Sequence, residues 1–414
     1  LSLVEKRTAF RPASGEAPFA PEEVFFSRTD DRGVIQSGNW VFHRVAAYDW
    51  PDMLGAPHRI IRHPDMPRAV FWLLWDTIRS GRPVGAYVKN RARDGLHYWV
   101  FAVVTPHGDG YLSARIKPTS PLLATIEAEY DALKNREESE GMSPEASAQA
   151  LLSRLQALGY PTYLDFSARA LATELVARDD LIAAPRDERG HALASTLEHA
   201  VSLKTETEGL INDFRAMRTV PHNLQVIASR LEPTGGPIST LSKNYAIMSR
   251  DMFDWFETNV VGEKSNFAQL KERILSSLFI HGMQRILDAC DRQLTEERRQ
   301  LGNVDIEGER QILHDIVATY AAQSVKAVNE VREETVRILT ACTIMERHVL
   351  ALSTTRVMCK IESSRLPTSG ESLVDIIGQL GVFQERIGAR LDQFVLMGTQ
   401  IRDLLGQNPL SPET

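Results

Sequence analysis

The stretch RIIRHPDMPRAVFWLLW (59–75) sets Arg62, His63 and Asp65 among prolines, directly ahead of an apolar run rich in tryptophan. A guanidinium beside an imidazole supplies donors suited to a phosphate, a carboxylate or a flat heteroaromatic ring. Asp65 stands where its side-chain oxygen can cap the free N–H groups of a helix beginning near Met66 or Pro67. The residue types also fit a plainer reading, a surface loop whose arginine pairs with a neighbouring acid. Catalysis is the weakest reading: His63 and Asp65 have no nucleophile set against them. The segment LEPTGGPISTLSK (231–243) has glycines and a lysine but lacks the GxxxxGK[ST] spacing of a phosphate loop.

The elements that must hold these residues are short and alternate in type. From Val24 to about Lys117, β-type runs (VFFSRTD, GVIQSG, VGAYVKNRA, HYWVFAVVTP, GYLSARIKP) are separated by turn signals such as RDG (93–95) and HGDG (107–110). Helical pieces and the 59–75 stretch lie between the second and third runs. The predicted order is β-β-α-α-α-β-β-β, an α+β domain of about 95 residues. Residues 1–20 mix Pro, Ala and charge without periodicity and read as a lead-in.

From Ser120 onward the texture is helical, broken near EGMSPE, LGYPTY, AAPRDERG, LEPTGGPI, VVGEKS and RLPTSGE. After residue 305 a heptad track places Val317, Ser324, Val331, Ile338, Met345, Leu352 and Cys359 seven apart. Ala321, Val328, Thr335, Cys342 and Val349 form a second track. Such a helix of about 60 residues, about 90 Å long at 1.5 Å per residue, must pack on other long helices of this chain or of a second copy. Ser324 and Thr335 weaken the seam, which suits a bundle that shifts between arrangements.

Of the 414 residues 43% are hydrophobic, enough for packed cores. With 47 basic and 54 acidic residues, a net charge of −7 and no basic cluster, nucleic acid is not the expected partner. Cys290, Cys342 and Cys359 show no metal-ligand spacing and read as structural cysteines in a reducing compartment. Neither a signal peptide nor an apolar run of about 18 residues is evident, so a cytoplasmic location without membrane insertion is expected.

Residues 24–118 resemble a PAS domain, specifically the FAD-binding PAS domain of bacterial aerotaxis receptors. The resemblance is carried by GNWVFHRVAAY (38–48), LGAPHRIIRHPDMPRAVFWLLWDTIRSGRP (54–83), VKNRARDGLHYWV (88–100) and GYLSARIKPTS (110–120). It implies a five-stranded antiparallel sheet with helices over one face and FAD held non-covalently between them. Carried over by position, Asn39 starts the first helix, Arg62, His63 and Asp65 fall on the cofactor-associated loop, and Trp75 on the helix beside it. Trp72 is the alternative core-facing tryptophan. Asn90 and Trp99 fall on strands facing the ligand, with two plainer roles left open: core filler on an alternating strand for Trp99, and a helix cap alone for Asn39. An amide such as Asn90 can donate and accept, following the ring as its protonation changes. A tryptophan offers a flat stacking surface. Two alternatives remain beside FAD: haem, with His58 or His63 as axial ligand, and a ligand-free PAS scaffold that only binds proteins.

In that family the PAS domain controls a long helical hairpin that docks the chemotaxis kinase and its coupling protein. Residues 220–252 faintly resemble the hairpin tip, with Asn223, Leu224, Ile227, Ala228 and the Gly235/Gly236 pair at related places. The family's alanine- and arginine-rich tip core is absent, as are a HAMP unit and a membrane anchor. The resulting division is a lead-in (1–20), a PAS sensor domain (21–120), a helical connector (121–210), a long-helix bundle or coiled coil (211–407) and a tail (408–414). The expected function is non-enzymatic: a redox or oxygen sensor, homodimeric, relaying flavin state to a chemoreceptor-like output.

Overall fold

The computed structural model describes residues 11–217, 220–231, 236–261, 267–298, 305–365 and 371–407. Contacts divide the chain into two compact units, one comprising Leu1–Gly190 with Leu275–Lys326, the other His191–Ile274 with Ala327–Thr414.

The first unit is built on an antiparallel sheet of β1 (Val24–Asp30), β2 (Ile35–Gly38), β3 (Val84–Arg91), β4 (His97–His107) and β5 (Gly110–Ile116), in the order β2-β1-β5-β4-β3. Between β2 and β3 lie α1 (Trp40–Ala46), α2 (Trp50–Met53), a 3-10 turn (His58–Ile61) and α3 (Arg68–Arg79). This is the expected α+β order. Side chains alternate across a strand, so Val88, Asn90, Ala102, Val104, Tyr111, Ser113 and Arg115 share the face towards α3. Tyr87, Trp99 and Phe101 share the other.

That other face is covered by α4 (Leu122–Ser139) and α6 (Tyr163–Ile182), within the segment expected as a connector, and by α10 (Phe267–Glu296), while α5 (Pro144–Ala157) packs on α3. Tyr87 packs on Phe166, Trp99 on Tyr130, and the Phe279 ring of α10 meets the backbone at Gly85. Glu174 of α6, fully buried, accepts from Tyr87 Oη at 2.6 Å, from Ser120 Oγ at 2.5 Å and from the N–H groups of Thr119 and Ser120. Its carboxylate therefore fixes the chain where it leaves β5 for α4.

The second unit contains α8 (Val220–Leu231), α9 (Pro237–Phe256) and α12 (Glu371–Gln407), most of α7 (Glu188–Met217), the start of α10 and the C-terminal part of α11 (Ile306–Ser363). Helix α11 runs 58 residues. Its first heptad track is sequestered from Ser324 to Cys359, every member at most 1% exposed, whereas Val317 is half-buried. Thr335, inside the seam, satisfies its hydroxyl on the Val331 carbonyl one turn back at 2.7 Å. Within this unit Arg390 pairs with Asp213 and Glu206, and Gln384 donates to Tyr245 Oη at 3.0 Å. Of the tip-like stretch, Asn223, Leu224, Ile227 and Ala228 lie on α8, Gly236 precedes α9, and Gly235 lies outside the described residues. No described helix is long and apolar enough to cross a membrane.

Candidate functional site

A cavity of about 280 Å³ lies between the inner face of the sheet and α3. Its apolar walls are Phe71, Leu74, Trp75 and Ile78 from α3, with Val88, Ala102 and Val104 from the sheet. Its polar groups are Thr29, His58, Asn90, Ser113 and Arg115, and its rim carries exposed Arg32 and Arg59 and half-buried Arg62. The size is near the lower end for small-molecule pockets, and the composition, a mostly apolar slot with a few convergent polar groups, is that of a ligand site.

The walls are positioned by local chemistry. Trp75 meets Tyr111 edge-on, ring centroids 5.4 Å apart, and its indole lies 3.2 Å from where a Cβ on Gly33 would sit. Gly33 takes φ +78 in the β1–β2 turn, so glycine there serves both the backbone and the tryptophan. The loop after the 3-10 turn lies along β3, the sheet edge, through a bridge between Arg62 and Asn90 and a bond from His63 N–H to the Lys89 carbonyl. The Arg62 guanidinium stacks 3.7 Å over Phe71 and makes no ion pair among the described residues. Burial lowers its pKa somewhat.

Arg115 is the most constrained group at the site. Only 4% exposed, it donates from Nη2 to Ser27 Oγ at 2.9 Å and lies 2.6 Å from His58 Nε2. Its Nη1 is buried without a partner, and no carboxylate among the described residues pairs with it. Burial pushes its pKa down to about 10. Burial, and then the adjacent guanidinium, hold His58 well below the ordinary histidine range. His58 is therefore neutral, with Nε2 accepting from Arg115 and the proton on Nδ1. The Ser113 hydroxyl is likewise buried without a partner, and the Asn90 amide, 3% exposed, has no side-chain bond among the described residues.

Of the residues singled out in the sequence, Arg62, Trp75 and Asn90 meet at this cavity, and the other four lie elsewhere. Asn39 is fully buried behind β1: Oδ1 accepts from Phe26 N–H at 3.0 Å and Phe42 N–H at 3.2 Å, and Nδ2 donates to the Val24 carbonyl at 2.7 Å. It caps α1 and ties that helix to β1. Trp99 points to the opposite face of the sheet, because odd positions of β4 face α4 and α6. His63 and Asp65 sit outside the cavity, Asp65 bonding Lys89 Nζ at 3.2 Å and lying 3.3 Å from His63 Nδ1. Burial lowers the His63 pKa.

The expected cap by Asp65 is corrected. Helix α3 starts at Arg68, and the carboxylate on its N-terminus is Glu137 of α4. The axial-ligand roles considered for His58 and His63 do not fit this arrangement, since His58 Nε2 is engaged by Arg115 and His63 is off the cavity. Not singled out by the sequence were Arg115 and Ser113, which with His58, there a candidate haem ligand only, form the polar end. The alternation of GYLSARI (110–116) places Tyr111, Ser113 and Arg115 on one face, and that pattern was the available signal.

The residues present fit a flavin ring. Apolar walls suit its carbocyclic part, while the lining residues Arg115, Asn90 and Ser113 carry the polar chemistry that its carbonyl and nitrogen edge requires. The cavity is too small for a whole dinucleotide. The remainder would have to leave past the rim, where Arg32, Arg59 and Arg62 could meet a pyrophosphate. No cysteine lines the cavity, all three being buried elsewhere.

No protein-family profile matches the chain. It is 39% identical over 121 residues to the aerotaxis receptor of Escherichia coli (strain K12), covering 28% of this chain and 24% of that protein. It is 31% identical over 83 residues to a nitrogen fixation regulatory protein of Klebsiella pneumoniae, 20% of this chain and 17% of that one. The chain thus spans about a quarter or less of the length of these relatives. Among solved structures, it is similar to the LOV domain of the Erythrobacter litoralis EL346 blue-light activated histidine kinase. There the TM-score is 0.21 and the identity 17%, covering 23% of this chain and 94% of that one. Similarity to the light state of the Aureochrome1 LOV photoreceptor has TM-score 0.23 and 17% identity, covering 31% and 97%. The N-terminal domain is a PAS domain of the aerotaxis-receptor type, followed by a long helical region.

Proposed function

We propose that this PAS protein is a redox or oxygen sensor whose cavity holds FAD, and that it passes flavin state to a chemoreceptor-like helical output. The observation that carries the reading is the cavity's polar end: a buried arginine without an acid, an unpaired serine hydroxyl and an unbonded amide, opposite apolar walls. Leaving such groups unsatisfied costs about 1–3 kcal/mol each, so a ligand with complementary acceptors is strongly favoured there. A bound flavin supplies reversible electron uptake with changes in ring protonation. Asn90 can follow those changes by turning its amide between donor and acceptor.

The chain's own residues offer a route outward. Ser113 and Arg115 lie on β5, which ends at Ile116 just before the Thr119–Ser120 turn held by Glu174. Tyr87, on the same strand as Asn90, donates to that carboxylate. A shift of β3 or β5 would therefore be felt by α4 and α6. Helices α10 and α11 contribute to both compact units and are the natural carriers of the change onward. The function is signalling rather than enzymatic. It is proposed to operate in the cytoplasm as a homodimer, with chemotaxis kinase and coupling proteins, or another signalling protein, as output partners.

The test is an absorption spectrum of the purified protein followed by heat release and chromatography of the extract. Flavin bands with FAD in the extract support the reading. A colourless protein that takes up no FAD on reconstitution, yet still binds its partners, leaves the ligand-free scaffold instead. Partner capture with and without reductant then separates a redox sensor from a scaffold.

A further inference from the structure

We infer that Arg115 is the charge-reading residue of the cavity: backed by His58, its guanidinium binds the reduced, more negative form of the ring more tightly than the oxidised form. This sets the potential at which the protein switches. The inference rests on the flavin reading above and deepens it.

Three features make Arg115 unusual. It is inside the protein, where a charge is costly unless paired. Its neighbours Ser27, His58 and the Phe42 ring, 5.5 Å away, are all neutral. Its Nη1 is buried with no acceptor among the described residues. A lone cation in a cavity wall binds a neutral ligand through a hydrogen bond alone. It binds an anionic ligand through the same bond and a charge interaction strengthened by the low local dielectric.

Reduction of a flavin ring by two electrons with uptake of one proton adds one negative charge to the ligand, the electrons coming from an external reductant. The charge that Arg115 lacks is then supplied by the ring. His58 cannot compete for that role: it is neutral and uses Nε2 to accept from the same guanidinium. Its part is positional, holding Nη2 and with it the guanidinium that lines the cavity. Asn90, which can turn its amide to suit either state, carries no charge and so contributes less than the guanidinium to the preference for an anionic ring. Preference between the two states therefore falls on Arg115.

The experiment is a spectroscopic titration with dithionite of full-length protein loaded with FAD, against a reference dye at fixed pH. Wild type is compared with Arg115→Met, Arg115→Gln and Arg115→Lys. Loss of the charge is expected to weaken the preference for the reduced state at least tenfold. That is a fall of about 30 mV in a two-electron midpoint potential. Arg115→Lys, which keeps the charge without the planar fork, should fall by less than the neutral variants. Arg115→Gln, which retains a donor, serves where Arg115→Met does not fold. A purely structural role for Arg115 would change FAD content or thermal stability and leave the potential of the loaded fraction where it was. Neutral variants that load FAD and keep the wild-type potential overturn the inference while leaving the flavin reading standing. A wild-type protein that takes up no FAD overturns both.

Discussion

Glu137 Oε1 accepts the backbone N–H of Arg68 at 2.7 Å and that of Ala69 at 3.3 Å, so the helix carrying Trp75 is capped by a residue of α4, 69 positions away. Helix α3 has no capping side chain of its own, its N-cap being Pro67. Glu137 also accepts from Ser147 Oγ at 2.6 Å and is 2% exposed. One carboxylate thereby ties the wall of the cavity to α4 and α5. The position of Trp75 depends on helices outside the PAS sequence itself.

Glu137→Ala removes that cap and leaves two helix N–H groups and a serine hydroxyl buried without acceptors. A loss of about 2–4 kcal/mol is expected, above the ordinary value for a cap because the site is dry. Asp65→Ala, which removes a half-exposed ion pair, should cost under about 1 kcal/mol. Urea denaturation of the two variants decides it. Equal losses would mean that Asp65 after all shares the capping role.

These two acids show what could and could not be read in the chain. Asp65 satisfies every local rule for an N-cap, since it precedes an apolar helical run at the right distance. Glu137 has no local signal at all, because its role is created by α4 packing on α3. The succession of strands and helices, the alternation of β5 and the heptad seam of α11 follow from turn signals and from periods of 2 and 7, which are local, whereas the order of the strands in the sheet is set by long-range pairing. Trp99 takes the core-filler role that the alternation of its strand left open, since odd positions of β4 face Tyr130. Arg115 has no local signal beyond its place in the alternation of β5, because its burial is created by the packing of α1 and the 3-10 turn around it.

Asn39 and Asn90, both buried amides, should respond in opposite ways. Asn39 makes three hydrogen bonds to backbone, so Asn39→Ala leaves two N–H groups and a carbonyl unpaired and is expected to cost about 2–4 kcal/mol of stability. Asn90 has no side-chain bond among the described residues, so Asn90→Ala should change stability by less than about 1 kcal/mol. It should weaken FAD retention roughly tenfold, about 1.4 kcal/mol. Thermal melts of the unloaded protein, paired with FAD titrations, read the two effects separately. Loss of stability in Asn90→Ala comparable to that in Asn39→Ala would show that Asn90 is structural.

Ser324 occupies the α11 seam at 0% exposure, its hydroxyl without a partner among the described residues. Ser324→Ala removes that group, loses almost no volume and places a better helix former in the seam. A gain of about 0.5–1.5 kcal/mol is expected. If weak packing serves signalling, the more stable variant should also respond less to reductant in partner capture. Unfolding by guanidinium measures the first effect. A destabilised variant would indicate that the hydroxyl has an acceptor in the working assembly.

Glu297 links the far end of α10 to the start of the PAS helices, and it predicts an inverted pH dependence. Its Oε2 accepts Trp40 N–H at 2.8 Å, at the N-terminus of α1, and its Oε1 accepts from Gln293 Nε2 at 2.8 Å. The side chain is nearly inaccessible, and burial outweighs both bonds, raising its pKa to about 7, with Glu23 adding a further repulsion. In the unfolded chain it titrates near the ordinary value of about 4.3. Between those two values the folded state holds a proton that the unfolded state has released. Stability must therefore fall as pH rises through this window, by up to about 1.4 kcal/mol per unit, and level off above pH 7. Glu297→Gln, neutral throughout and still able to accept the Trp40 N–H, should match the wild type near pH 4.5 and exceed it at pH 8. Chemical denaturation of both proteins at pH 5 and pH 8 tests this, since the difference between them cancels every other titrating group. A wild-type protein that gains on the variant as pH rises would mean that the carboxylate is better paired than this site allows.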